Sequence, residues 1–392
     1  MQFDETMVLG ICKTHPIILS MIFSYGMQPI NFIFSYFSIC DNFTGLVEFM
    51  PAAVLGYCCW RSHQQQSTFD ASESHRNVVS IQTLATFALL LWSLRLGSFL
   101  IYRMRKRPAV DSRLGEGKDR RKNRNSMLKI LQFWLIHGTW GLVCSLPVSL
   151  LNAELNYNII LHNSAAEKQH DDEPMTFKVY QHSSEITSIQ IMGLLIWLTG
   201  FLIEALADDT KLRNYNRLFS KQVDFQNHDD EYYRMNGHFL WRYSRNPNFF
   251  GECLCWLGLA IAAANEFYPD TNISSFNFRN SSHSNANIKF LACWLSPILT
   301  LGIMLGEAVL LSEWKNNRRY RRIIENKDST SKRMKYDEYK SQTSLLIPCH
   351  PILYKSCPKM IRRIFLFDWE IYERLRDPST LILHKDRRSK QD

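Results

Sequence analysis

Between Gly237 and Glu252 the chain reads Gly-His-Phe-Leu-Trp-Arg-Tyr-Ser-Arg-Asn-Pro-Asn-Phe-Phe-Gly-Glu, a stretch dense in side chains suited to chemistry. Arg242 and Arg245 are permanent cations, each with several N–H donors. Asn246-Pro247 breaks the chain and starts a helix, because proline's fixed φ and missing N–H suit a helix's first turn. Asn248 then sets an amide, donor and acceptor together, near a helix N-terminus where anions are favoured. Glu252 follows one turn later on the same face. These groups suit a cradle for a phosphorylated molecule that bears a carboxamide. An arginine-rich turn ahead of a membrane span also serves plain topology, and the residue types alone leave both roles open.

Other ionisable residues stand singly inside apolar stretches: Glu48, Arg95, His137, Glu204, Glu252 and Glu307. Each costs about 2.5–3.5 kcal/mol on insertion scales unless it meets a partner or a polar cavity. One such group per helix, over several helices, points to a shared polar pocket. A structural pairing is expected for His137, a functional role for Arg95 and Glu252.

The elements that must position these residues are membrane spans. Seven apolar blocks run over 7–39, 43–60, 79–102, 128–151, 186–207, 249–264 and 288–311. Most approach the roughly 20 residues a helix needs to cross a bilayer. The block 249–264 is short unless 240–243 extends it. Helices are required because lipid cannot satisfy open backbone groups. The whole-chain mean hydropathy of −0.21 hides this, since very polar loops separate the blocks. With 24 Phe, 16 Tyr and 10 Trp, the chain is also rich in the rings that favour membrane interfaces.

The formal charge of +9 would fit nucleic acid or a membrane surface, and its layout selects the membrane. The loop 103–129 carries eleven Lys/Arg, whereas 152–187 carries two Lys and no Arg. Loop 208–245 is basic again, 265–287 holds only Arg279, and the C-terminal segment is strongly basic. Such alternation is the positive-inside pattern. It puts the basic loops and the C-terminus in the cytoplasm, the N-terminus in the lumen, and the sequons at Asn272 and Asn280 in a luminal loop. Segments 152–187 and 265–287, rich in Asn, Ser and His, are expected to be disordered, as is 327–335. The ten cysteines fall in or beside apolar runs without zinc spacing, so buried thiols are expected and no metal site. No removable signal peptide is expected.

The Trp241–Glu252 string closely resembles the C-terminal signature of steroid 5α-reductase-like membrane proteins, in particular a broad branch reading Trp-Arg-Tyr-Ser-Arg-His-Pro-Asn-Tyr-Phe-Gly-Glu. Asn246 replaces the usual His and Phe249 the usual Tyr. Further matches follow in the right order: Trp92-Ser-Leu-Arg-Leu-Gly97, Phe133-Trp134 with Ser145-Leu-Pro147 and Asn152, Glu204-Ala-Leu-Ala-Asp208 with Arg213, and Tyr339 through Thr343-Ser-Leu-Leu-Ile-Pro348. The resemblance spans about 81–348. It implies an all-α, polytopic membrane bundle of about seven transmembrane helices. N-terminal spans would occupy 1–78, the catalytic membrane domain 79–348, and a basic cytoplasmic tail 349–392.

By the same resemblance, NADPH enters from the cytoplasmic side. The positions matching Asp208, Tyr233, Asn248 and Glu252 line its nicotinamide, and Glu252 and Tyr233 are the expected catalytic pair. Arg213, Arg242 and Arg245 are the candidates for its phosphates, Arg95 and Arg103 reach it from an early span, and Glu313 occupies the place of a polar contact. The steroid-facing half departs from the family. The tyrosine that polarises the steroid ketone falls near Trp92, its glutamate partner is at best Glu48, and an arginine before the last Ile-Pro is replaced near Gln342-Thr343. The implied reaction is reduction of an activated double bond in a steroid-like or other lipid substrate, by a monomer in the endoplasmic reticulum membrane. One rival is a membrane methyltransferase of the isoprenylcysteine or phospholipid type using S-adenosylmethionine; such enzymes share the arginine–proline–aromatic–glycine turn but do not usually carry the Asn and Glu found at 248 and 252. A catalytically silent membrane protein that kept the fold is the other.

Overall fold

The structure, a computed structural model, describes residues 80–106, 124–168, 186–220, 240–268, 280–314, 316–317 and 338–374, with parts of 21–29. Among these residues every regular element is helical. α1 is Ile81–Lys106, α2 Arg124–Lys168, α3 Ser188–Ser220, α4 Leu240–Tyr243 and α5 Pro247–Ala264, which ends in a 3₁₀ turn, Asn265–Phe267. α6 (Asn280–Cys293) and α7 (Leu295–Ile303) lead into a π-helical segment, Met304–Val309. Three short helices close the described chain: α8 (Pro351–Ser356), α9 (Lys359–Phe365) and α10 (Glu370–Arg374).

Among the described residues, five stretches are long and apolar enough to cross a bilayer: Ile81–Tyr102, Ile130–Ala153, Ser188–Arg213, Pro247–Phe267 and Ala286–Trp314. They coincide with the last five apolar blocks. The first two blocks, and Glu48 with them, lie outside the described residues apart from the short helical pieces within 21–29. The short block 249–264 reaches spanning length through its 3₁₀ extension and not through 240–243, because Ser244–Asn246 interrupts the helix before Pro247.

α3 shows why these helices need lipid. Ile191, Leu195, Leu198, Leu202 and Leu206 form an exposed apolar stripe, while Gln190, Gly193, Trp197, Gly200, Glu204 and Asp208 lie buried on the opposite side. A soluble helix buries its apolar stripe; this one exposes it and buries small and polar residues, as membrane helices do. The N-terminus of α3 is closed by a reciprocal capping box. Gln190 N–H donates to Thr187 Oγ1 (3.2 Å), and Thr187 N–H donates to Gln190 Oε1 (3.0 Å).

The chain forms two compact units, 1–198 with 255–300 and 199–254 with 301–392. In the first, α1 packs on α2, where Asn152 Nδ2 donates to Thr86 Oγ1 (3.0 Å). Trp92 makes edge contacts with Trp256 and Trp140, at centroid distances of 4.7 and 6.0 Å. Gly193 and Gly258 let α3 and α5 touch: a Cβ built on Gly258 would stand 2.4 Å from Trp197 N. The second unit holds the C-terminal helices and a core of Leu305, Val309, Leu345, Leu346 and Tyr372.

Two expectations of disorder are corrected. α2 continues to Lys168, because 152–168 contains neither Gly nor Pro and is supplied with Ala, Glu and Leu, good helix formers that outweigh its Asn content. α6 begins at Asn280, inside the stretch 265–287. Pro297 accounts for the interruption near Trp294: its ring clashes with the carbonyl four residues earlier, at Cys293.

Candidate functional site

Within the second unit, the segment 339–349 lies along 241–246. Arg245 N–H donates to Ser344 O (2.8 Å), and Cys349 N–H to Tyr243 O (3.0 Å). Ser244 and Ser344 form a parallel β-bridge. Side chains add to it. Ser244 Oγ donates to Leu346 O (2.7 Å), Asn246 Nδ2 to Leu345 O (3.0 Å) and Tyr339 O–H to Trp241 O (2.9 Å). Asn246 therefore spends its amide on holding this strap and not on capping α5, which starts at Pro247 as the proline rule requires.

Arg245 is buried, and its guanidinium is divided between two acids. Nη1 meets Glu313 Oε2 at 2.8 Å and Nη2 meets Asp368 Oδ1 at 3.1 Å. Lys340 Nζ approaches the same Glu313 oxygen at 3.3 Å and donates to Asn317 Oδ1 (3.2 Å). Tyr354 O–H donates to Asp368 Oδ2, and Tyr372 O–H to Leu305 O (2.8 Å) within the π segment. Two cations thus balance two carboxylates, which is what permits Glu313 to be 1% exposed. Burial, reinforced by the Glu313 carboxylate, pushes the Tyr372 phenol up to about 12. Burial likewise raises Tyr354, where Arg245 opposes the shift and Asp368 adds to it.

Beside this network α5 crosses α3. A Cβ on Gly251 would stand 2.6 Å from both Glu204 N and Gly200 O, so only glycine allows that approach. Glu252, next in sequence to Gly251, is buried, as are Glu204 and Asp208, one turn apart on α3. Asn248 lies one turn before Glu252, half-buried, and its side-chain amide makes no hydrogen bond among the described residues.

The sequence candidates therefore separate. Asp208, Asn248 and Glu252 sit on the two crossing helices, Arg245 and Glu313 join in one ion-pair network, and Arg242 is exposed with its guanidinium unpaired among the described residues. Arg213 is exposed and pairs with Asp209 (2.7 Å), one turn away on its own helix. Arg95 belongs to the first unit, where it stacks over Phe99, its guanidinium carbon 5.6 Å from the ring centre. Arg103 lies in α1, and neither its side chain nor that of Glu307 is among those described. Tyr233 lies outside the described residues. His137 Nδ1 stands 2.8 Å from Phe133 O, and its ring stacks on that of Phe133, the structural pairing expected of it. Asp368, Tyr354, Tyr372 and Lys340 were not among the sequence candidates; the first three lie in the segment read as a tail.

Fold and site together define a multi-pass, all-helical membrane protein whose polar residues are gathered on the inner faces of its spans. The chain matches the family described as Protein of unknown function (DUF1295) over residues 59–166 and 173–276, more than half its length, and belongs to that family. The matched residues include Arg95, Asp208, Arg242, Asn248 and Glu252 and stop short of Glu313. Neither the comparison with curated proteins nor that with solved structures returned a match.

Proposed function

We propose that this protein is an NADPH-dependent membrane reductase of the steroid 5α-reductase-like type, acting on an activated carbon–carbon double bond in a lipid-like substrate. The carrying observation is Asn248: a half-buried amide without a hydrogen-bond partner among the described residues, on the first turn of α5 and one turn from Glu252. A carboxamide needs a donor and an acceptor at one point, and an asparagine side chain offers both. Glu252, Glu204 and Asp208 give the same crossing three buried carboxyl groups, at a cost hard to reconcile with a purely lipid-facing role. The residues present suit a nicotinamide dinucleotide in their donor chemistry.

When bound, NADPH supplies the hydride, delivered to the β carbon of the double bond. Asn248 orients the carboxamide, the crossing of α3 and α5 keeps water from the reacting end, and Glu252 or Tyr233 supplies the proton that completes the reduction. Among the arginines, Arg242 is the first phosphate donor. The two terminal nitrogens of Arg245 are taken by Glu313 and Asp368, so its role is to anchor the strap. The lipid-like substrate follows from a site within membrane spans. Cytoplasmic placement of the arginines follows from the alternating loop charge; residence in the endoplasmic reticulum follows only from the resemblance to steroid 5α-reductase-like proteins.

Titration of purified protein with NADPH, followed by nicotinamide fluorescence, tests this reading. Asn248→Ala and Glu252→Gln should each weaken binding about tenfold or more, roughly 1.4 kcal/mol, with the melting temperature of the unliganded protein unchanged. Unchanged affinity in both variants would remove them from a cofactor site.

A further inference from the structure

We propose that α8 and α9 form an interfacial surface that lies in the headgroup region of a bilayer carrying anionic lipid. At about 100° per residue, Met360, Ile361, Ile364 and Phe365 share one side of α9, and Lys359, Arg362 and Arg363 share the other. The apolar side is bare: these four side chains are 72, 45, 56 and 65% exposed, and Ile352 and Leu353 of α8 are 73 and 63% exposed. All six lie outside the five spans, so the lipid tails that cover α3 do not account for them.

Their position fixes the occupant. The strap that carries α8 and α9 is tied through Asp368 and Tyr354 to Arg245, two residues ahead of the span Pro247–Phe267. Arg245 in turn holds Glu313, one residue from the end of the span Ala286–Trp314. The apolar side is therefore held where two spans leave the membrane. A short amphipathic helix with basic and apolar sides suits that boundary, its apolar residues entering the acyl region and its cations reaching lipid phosphates. Arg362 stacks over Tyr354, and Arg363 pairs with Glu370, which leaves Lys355 and Lys359 as the exposed cations for anionic headgroups.

The test uses the full chain reconstituted in phosphatidylcholine vesicles with and without phosphatidylserine, bearing a benzophenone side chain at position 365 or 363. Irradiation should give a phospholipid adduct from position 365 and far less from 363. Lys355→Glu with Lys359→Glu should lower the preference for phosphatidylserine adducts roughly tenfold and leave the melting temperature unchanged. Met360→Glu, a second disruption confined to the apolar side, should suppress the adduct at 365. Equal yields at 363 and 365, adducts indifferent to the lysine change, or crosslinks to a second chain in place of lipid would overturn the proposal.

Discussion

Arg245 shows how far a residue's chemistry depends on partners remote in sequence. Its fork bridges Glu313, 68 residues on, and Asp368, 123 residues on. A lysine could meet one of these carboxylates but not both in the same planar geometry. Glu313→Gln should destabilise the protein by about 3–5 kcal/mol, because Arg245 would keep only Asp368 and Lys340 would lose the carboxylate it meets at 3.3 Å. Arg363→Ala, which breaks a half-exposed pair with Glu370, should cost about 1 kcal/mol or less. Thermal unfolding in detergent should rank the two in that order, and Arg245→Lys should lower stability without NADPH present. Equal, small losses would contradict a buried network.

Alkaline pH probes the same residues. Tyr372 ionises near pH 12 in the folded protein, against about 10 for an unperturbed tyrosine. Below pH 10 the phenol is neutral in both states and stability is intact. Between about pH 10 and 12 the unfolded chain releases the proton first, so stability falls as pH rises. In Tyr372→Phe the melting temperature should start lower, having lost the bond to Leu305 O, but decline less steeply over that window. An identical slope would count against a buried phenol. The spacing of Asn248 and Glu252 was legible in sequence because helix period alone fixes it. The partners of Arg245 were not, because nothing local marks an ion pair formed across 123 residues.

Among the elements, α5 is the one whose start and packing the sequence specified best. Pro247 sets its first turn, and Gly251 and Gly258 set its contact with α3. Gly251→Ala should cost at least about 1–3 kcal/mol, since the new methyl would press on backbone atoms that cannot step aside. Gly302→Ala, which meets nothing within 4 Å, is the matched control. Folded yield and melting temperature should fall for the first and not the second; equal behaviour would mean the helices are further apart than they stand here. The closing motif from Tyr339 to Pro348 was recognisable as a string, but its purpose was not. Its backbone and side chains bind 241–246, so two motifs about 100 residues apart form one structure. The segment after it read as a basic tail because its Lys and Arg stand out, while the apolar positions of α9 fill barely two turns, too short a run for periodicity to decide.

At the scale of the whole molecule, the apolar blocks and the alternating loop charge revealed a multi-pass helical membrane protein, since both follow from bilayer thickness and charge transfer. Where helices stop was less legible: α2 runs on to Lys168 through a polar sequence. The orientation is testable directly. Cysteines introduced at Ser112 and Ser184, in a background without reactive native thiols, should label from opposite sides of sealed vesicles, and labelling from one side would undo the assigned topology.

The central claim is that the crossing of α3 and α5 receives a nicotinamide dinucleotide. A ligand that binds the folded state stabilises it by RT ln(1 + [L]/Kd), so the melting temperature reports the true ligand without knowledge of the substrate. Full-length protein in detergent should melt higher as NADPH is added, with no response to S-adenosylmethionine and a much reduced response to NADPH in Asn248→Ala. Stabilisation by S-adenosylmethionine with none by NADPH would contradict the claim and favour a methyltransferase. Indifference to both would favour a membrane protein that kept the fold without the chemistry.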